Sequence, residues 1–335
     1  MVQFAGTNFS REEISQRVGS ISQVGEVTRF EYSEGKAKGL EGLLFRTGSG
    51  LDFTVLPSRG MDLGLATYRG LPLCWVSPVG AAGPDYYEPQ GLGWLRTFGG
   101  GLLATCGLTY LGDPCQDQGE ELGLHGRISH TPAGNVCNWT QWRGGDYYLH
   151  ASGQMREASC FGPNVVLTRT ITAKLGEAKI WLVDEVENQG FEEVPHMILY
   201  HINLGYPLVS EDSKLTLPPH TTKPRDPVAE ANPDYLSFGP PSAGYEPRVY
   251  YHQLDPSQEK VTINLAGGGL NFNLSYSPQQ LPRLAQWKLF GQGSYVMGIE
   301  PANCYVDGRD KERAAGTLAF LKPGEKKRYE LEFSL

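Results

Sequence analysis

Four short segments of the chain set ionisable side chains beside glycine or proline, where a backbone can approach a ligand closely. They are Pro57-Ser58-Arg59-Gly60-Met61-Asp62, Trp94-Leu95-Arg96-Thr97-Phe98-Gly99-Gly100-Gly101, Gly123-Leu124-His125-Gly126-Arg127, and Tyr200-His201-Ile202-Asn203 taken with Gly298-Ile299-Glu300-Pro301. Glu300 stands among Val296, Met297 and Ile299. An ionised carboxylate in such surroundings is costly unless it has a partner, so Glu300 needs either that partner or a raised pKa. His201 lies in a similarly apolar run. A carboxylate and an imidazole buried on central strands can work as an acid–base pair. Each segment also has a plainer reading. A histidine beside glycine is more often a structural group than a catalyst, and Arg59 with Asp62 could be a local ion pair closing a turn.

Most of the elements that would position these residues read as strands. In Val165 to Thr172, one face carries Val165, Leu167, Arg169 and Ile171, and the other carries Val166 and three threonines. Leu175 to Ala178 reads as a turn, and Ile180 to Val186 runs back, so the alternation predicts a β-hairpin. A third strand is predicted over Met197–Asn203, and a last one over Tyr329–Leu335 after the turn Lys322-Pro323-Gly324-Glu325. One helix is predicted, near the N-terminus, where Ser10 and Glu13 have the spacing of a capping box. Residues 217–247 hold eight prolines, from Pro218 to Pro247, and so many missing backbone donors exclude a central strand. The aromatic residues of that stretch suit a long loop packed near a pocket. The expectation is one domain over 1–335, with 1–30 as an N-terminal extension carrying the short helix.

The 335 residues carry 29 Lys and Arg against 37 Asp and Glu, a net charge of −8. That balance, with no long basic run, argues against a nucleic-acid or anionic-membrane surface. No stretch is apolar for long enough to span a membrane, and no signal peptide is visible at the start. The six cysteines are scattered without metal-type spacing, and they read as reduced thiols in a cytoplasmic protein.

Tyr200-His201-Ile202-Asn203-Leu204-Gly205-Tyr206 resembles a histidine-bearing strand of the galactose mutarotase (aldose 1-epimerase) family. Gly123-Leu124-His125-Gly126 is similar to that family's Leu-His-Gly turn, and Gly298-Ile299-Glu300-Pro301 falls where the family carries its catalytic glutamate. The Pro323-Gly324-Glu325 ending also agrees, and the resemblance spans roughly residues 40 to 335. Ser58 to Asp62, Ala104 to Leu108 and Leu124 to Arg127 look like an uncharacterised branch of that superfamily, one described as a domain of unknown function.

The resemblance implies an all-β fold, a large antiparallel β-sandwich of the galactose mutarotase-like type, with one short N-terminal helix. It implies Glu300 as the base that takes the anomeric proton and His201 as the acid that protonates the ring oxygen. His125 and an arginine would bind the sugar. Arg96, 29 residues before His125, is close to the family's spacing for that arginine and is preferred over Arg59. Arg59 and Asp62, which could both line the pocket, complete the expected binding set with Arg127, Asn203 and Trp94. Trp139 and Trp142 are further candidates for stacking, and Asp226 and Asp234 for the acidic residue that binds sugar hydroxyls. The expected partner is a small-molecule sugar, with no metal and no cofactor. The oligomeric state, monomer or homodimer, stays open, as does the identity of the sugar. Three other readings stay open too: a non-catalytic carbohydrate-binding or sensing protein on this scaffold, a different reaction such as epimerisation of a modified sugar or a lyase step, and a metal-dependent sugar isomerase using His125, His130, His201 and Glu300.

Overall fold

The predicted hairpin is present. Strands Asn164–Lys174 and Lys179–Asn188 pair antiparallel from Val165 opposite Asn188 to Thr172 opposite Trp181. Leu167, Ile171, Leu182 and Val186 are buried on their shared inner face. The computed structural model describes residues 1–4 and 6–335. Around this hairpin forms an eight-stranded antiparallel sheet, completed by Gly134–Arg143, Asp146–Ala158, Lys326–Ser334, Leu270–Tyr276, Val261–Gly267 and Lys214–Thr216.

A second, eleven-stranded sheet packs against it. Its middle is formed by Arg283–Gly291, Ser294–Ala302, Met197–Gly205, Leu103–Leu108 and Asp62–Tyr68, in that spatial order. The apolar faces of the two sheets share one core, in which Phe45 and Phe53 stack at 4.6 Å. Burial of these faces is the main favourable term holding the layers together.

One charged network crosses that core. Arg169, fully buried on the eight-stranded sheet, donates from Nε and Nη2 to Asp184 at 2.8 and 2.6 Å. Its Nη1 reaches Asp62 of the other sheet at 3.0 Å. Asp62 also accepts from Thr105 Oγ1 at 2.6 Å, and Tyr200 Oη donates to Asp184 at 2.8 Å. Every charge here has a partner of opposite sign, which makes its burial tolerable. Asp62, expected at a sugar site, is therefore a strut between layers.

The capping box forms as predicted: Ser10 N donates to Glu13 at 2.7 Å, and Glu13 N donates to Ser10 Oγ at 3.1 Å. The single expected helix is joined by two others, Pro227–Glu230 and Arg309–Ala314. Both are only one or two turns long, below the length at which periodicity can be read. The segment read as an N-terminal extension contributes the strand Glu26–Glu31 to the larger sheet, and it buries Val2 and Ile14 in the core. The one strand that residues 217–247 supply among the described residues is the edge strand His220–Pro224, where missing donors cost least.

Candidate active site

Strand alternation decides which side chains meet. In Met197–Gly205, Ile198, Tyr200, Ile202 and Leu204 join the core between the sheets, so His201 and Asn203 project from the opposite face. In Ser294–Ala302, Met297 and Ile299 join that core, so Glu300 projects on the same side as His201. The two strands pair with Ile202 opposite Ile299 and Leu199 opposite Ala302. That register brings His201 against Glu300, with Nε2 3.3 Å from Oε1. A Cβ at Gly298 would lie 2.4 Å from Glu300 Oε1, so only glycine leaves the carboxyl room to lean back along its own strand.

His125 arrives from a loop. It holds a positive φ of 58°, unusual for a side-chain-bearing residue, and the next residue, Gly126, has φ 81°. The turn is fixed by backbone bonds: His125 N donates to Gly112 O, and Gly107 N to His125 O. A Cβ at Gly126 would sit 2.2 Å from Gly107 O, so this position too requires glycine. The His125 ring stands 6.0 Å from that of His201 and 4.9 Å from that of Trp94.

These residues border a cavity of about 500 Å³. Its polar part carries Glu300, His201, His125, Arg225 and Asp113, and the rings of Trp75, Trp94, Phe98 and Trp287 form much of its wall. Burial pushes the Glu300 carboxyl up to about 8, with Arg225 pulling slightly the other way. Burial also lowers His201 to about 4 and His125 to about 3, the latter helped by the neighbouring His201 and Arg225. Near neutrality the cavity thus presents a protonated Glu300 beside two neutral imidazoles.

Three buried polar atoms of the lining residues have no hydrogen-bonding partner among the described residues, Glu300 Oε1, His201 Nδ1 and His125 Nδ1, and Asn203 Oδ1, two residues along the strand from His201, is likewise unpaired. A folded protein rarely leaves such atoms unpaired, and a cluster of them beside one cavity marks a place where a polar ligand completes the bonding.

The other expected site residues lie as follows. Trp94 lines the cavity but is itself buried, with its indole N–H donated to Ser129 Oγ at 3.1 Å. Asn203 sits under the histidine, its amide donating to Gly101 O and His201 O at 3.1 and 3.0 Å. Arg96 points to solvent, 72% exposed and 3.2 Å from Glu88, because the short turn Gly93–Arg96 buries Trp94 and thereby turns Arg96 outward. Arg59 is a buried structural pin, donating to the carbonyls of Ser129, Ala82 and Thr97. It makes no ion pair with Asp62, and both border a separate, smaller cavity. Arg127 lies over the Tyr110 ring. Trp139 and Trp142 belong to the outer edge of the eight-stranded sheet. Asp226 caps the helix Pro227–Glu230, and Asp234 caps a turn at Ser237.

The arginine that reaches the cavity is Arg225, from the proline-rich segment. It donates from Nε to Asp307 at 2.8 Å and from Nη2 to Asp113. No spacing in the sequence marks Arg225, Asp113 or Trp287. His130 stands apart from the other two histidines: Ser129 Oγ lies 3.0 Å from its Nδ1, and Thr97 Oγ1 and Arg59 lie 2.7 and 3.0 Å from its Nε2. Among the described residues no three His, Cys, Asp or Glu side chains gather as a metal-ligand set. No described helix is long and apolar enough to cross a membrane.

Residues 37–335 match the family described as "Domain of unknown function (DUF4432)". No curated protein matches the chain. Several solved structures share its fold. One, from Klebsiella pneumoniae subsp. pneumoniae MGH 78578 and named as a candidate aldose 1-epimerase, superposes with a TM-score of 0.87 at 24% identity, covering 92% of this chain and 83% of that one. A galactose mutarotase-like protein from Clostridium acetobutylicum gives 0.62 at 11% identity, covering 93% and 98%. The galactose 1-epimerase from Lactobacillus acidophilus NCFM gives 0.58 at 13% identity, covering 92% and 98%. At these identities the likeness is one of fold: this chain has the galactose mutarotase-like β-sandwich.

Proposed function

Since the chain belongs to the DUF4432 family, whose description assigns no activity, we propose from its site that it is an aldose 1-epimerase-like, carbohydrate-binding enzyme that interconverts the anomers of a free sugar. The observation that carries this reading is the His201–Glu300 contact at 3.3 Å, set among unpartnered polar atoms at one cavity. The structures named as epimerases and mutarotase-like proteins support the scaffold.

A hemiacetal opens when a base takes the proton of its anomeric hydroxyl while an acid protonates its ring oxygen. The bond between the anomeric carbon and the ring oxygen breaks, and the carbonyl forms. Rotation about the first carbon–carbon bond and the reverse proton transfers close the other anomer. A carboxyl and an imidazole sharing one proton supply both roles. With Glu300 as base and His201 as acid, the proton must sit on His201 when the ring opens. Burial of the two groups favours it on Glu300. The proton must therefore pass from Glu300 to His201 before the ring opens; opening then leaves Glu300 protonated and His201 neutral, and closure reverses both transfers. His125 and Arg225 would hold the sugar's oxygens. The cysteines, all free in the fold, support a reducing, cytoplasmic setting.

Magnetisation-exchange NMR across a panel of free sugars tests the proposal. At least one sugar should interconvert faster with the protein than without it. Saturable binding with no acceleration of any sugar would sink the enzymatic reading and leave a binding or sensing protein on this scaffold.

A further inference from the structure

Hydrogen-bonding capacity is distributed unevenly around the cavity. Trp287 and Leu289 alternate along strand Arg283–Gly291, Val249 lies directly across from Trp287, and Pro247 is two residues before Val249. These four make one wall, whose side chains offer a ligand a single polar group, the indole N–H of Trp287. Trp75 adjoins it, its ring 6.4 Å from that of Trp287. Ser77, also on the lining, is spent on the backbone, donating to Phe98 O and accepting from Val79 N.

Charge is equally restricted. Arg225 is the one lysine or arginine among the residues lining the cavity. Two carboxylates, Asp113 and Asp307, already flank its guanidinium. An anionic substituent would find no cation free of a counter-charge, and it would face Asp113 across the same space. Desolvating such a group without a partner is strongly unfavourable.

Resting on the carbohydrate reading above, we infer that the ligand is an uncharged aldose whose edge remote from the anomeric carbon lacks hydroxyls, that is, a deoxy sugar. Its anomeric end would face His201 and Glu300, and its methyl or methylene edge the Trp287–Leu289–Val249 wall. A fully hydroxylated sugar would leave hydroxyls against that wall unpaired. A phosphate ester or uronic acid would be turned away by charge. Because apolar pockets reject an added hydroxyl only moderately, the preference over the hydroxylated parent should be about tenfold to a hundredfold.

Matched series test this. For each of galactose, glucose and mannose, the parent sugar is compared with its terminal deoxy analogue, its uronic acid and its terminal phosphate ester. Affinity is read by calorimetry and anomer exchange by NMR, with the full-length protein. The expected result is tightest binding by a deoxy member in at least one series, with no binding by the anionic members. Val249→Gln, which adds a donor and acceptor to the wall, should narrow the gap between deoxy sugar and parent. Tighter binding by an anionic member, tighter binding by the parent in every series, or no binding by any uncharged member would overturn the inference. A deoxy preference in binding without accelerated exchange would uphold it and reject the epimerase reading, so the two fail separately.

Discussion

His201 and Glu300 meet across neighbouring antiparallel strands, imidazole nitrogen 3.3 Å from carboxyl oxygen, and both side chains are almost fully buried. Burial disfavours charge on either group, so at neutral pH a protonated carboxyl faces a neutral imidazole. Such a pair can give and accept a proton in the same turnover.

Replacing Glu300 by Gln keeps the shape and removes the shuttle. Anomer exchange should fall by about 10²–10⁴-fold, the usual contribution of acid–base catalysis. Sugar affinity, measured by calorimetry, should change little. A variant that retains exchange would show that Glu300 takes no part.

The pH profile should be a plateau with two limbs. Above about 8 Glu300 ionises while His201 stays neutral, so the pair loses its proton. Below about 4 His201 also becomes protonated, so the pair loses its base. Measured kcat/KM should therefore drop on both sides of that window, and the alkaline limb should disappear in the residual activity of Glu300→Gln.

Stability should also respond to pH, with a definite sign. In the fold Glu300 titrates at about 8, above its ordinary 4.5. A group raised in this way contributes fully below its ordinary value and loses that contribution as the pH rises through the folded one. Glu300→Gln cannot ionise, so its melting temperature relative to the natural protein should climb between roughly pH 5 and pH 9. A constant difference across that range would contradict the raised value.

Arg169→Met strands Asp62 and Asp184 without their cation in the core. The expected cost is about 3–5 kcal/mol, read from urea denaturation. Asp62→Asn should likewise lower stability, more than it lowers affinity for any sugar.

Arg96 and Arg225 should separate cleanly. Arg96→Ala, at the surface, should leave stability within about 0.5 kcal/mol and binding unchanged. Arg225→Ala should weaken sugar binding, because it removes the one guanidinium on the cavity.

What could be read in advance followed from local pattern. Period-two alternation located the hairpin at 164–188, the histidine strand and the closing strand, and the Ser10–Glu13 spacing located the first helix. The order His125, His201, Glu300 pointed to three side chains that do border one cavity. Orientation off the strands was not legible. Arg96 was chosen by its distance along the chain, yet a turn of four residues decides its direction by which neighbour it buries. Arg59 and Asp62 stand beside glycine and look like ligand-binding groups, but their partners come from segments 23 to 107 residues away. Arg225 reaches the cavity only because the proline-rich segment folds along the sheet edge, and the partners that fix it, Asp113 and Asp307, lie 112 and 82 residues off.

Tyr200 and His201 are consecutive, and alternation sends them to opposite sides of one sheet. The tyrosine hydroxyl is tied to Asp184, and through it to Arg169, both on the eight-stranded sheet. The imidazole's position is thereby coupled, through a single peptide unit, to a clamp deep in the other half of the molecule. If the pair turns a sugar over as proposed, substitutions near Asp184, far from the cavity, should alter that turnover, so stiffening the interior would not be neutral for the site.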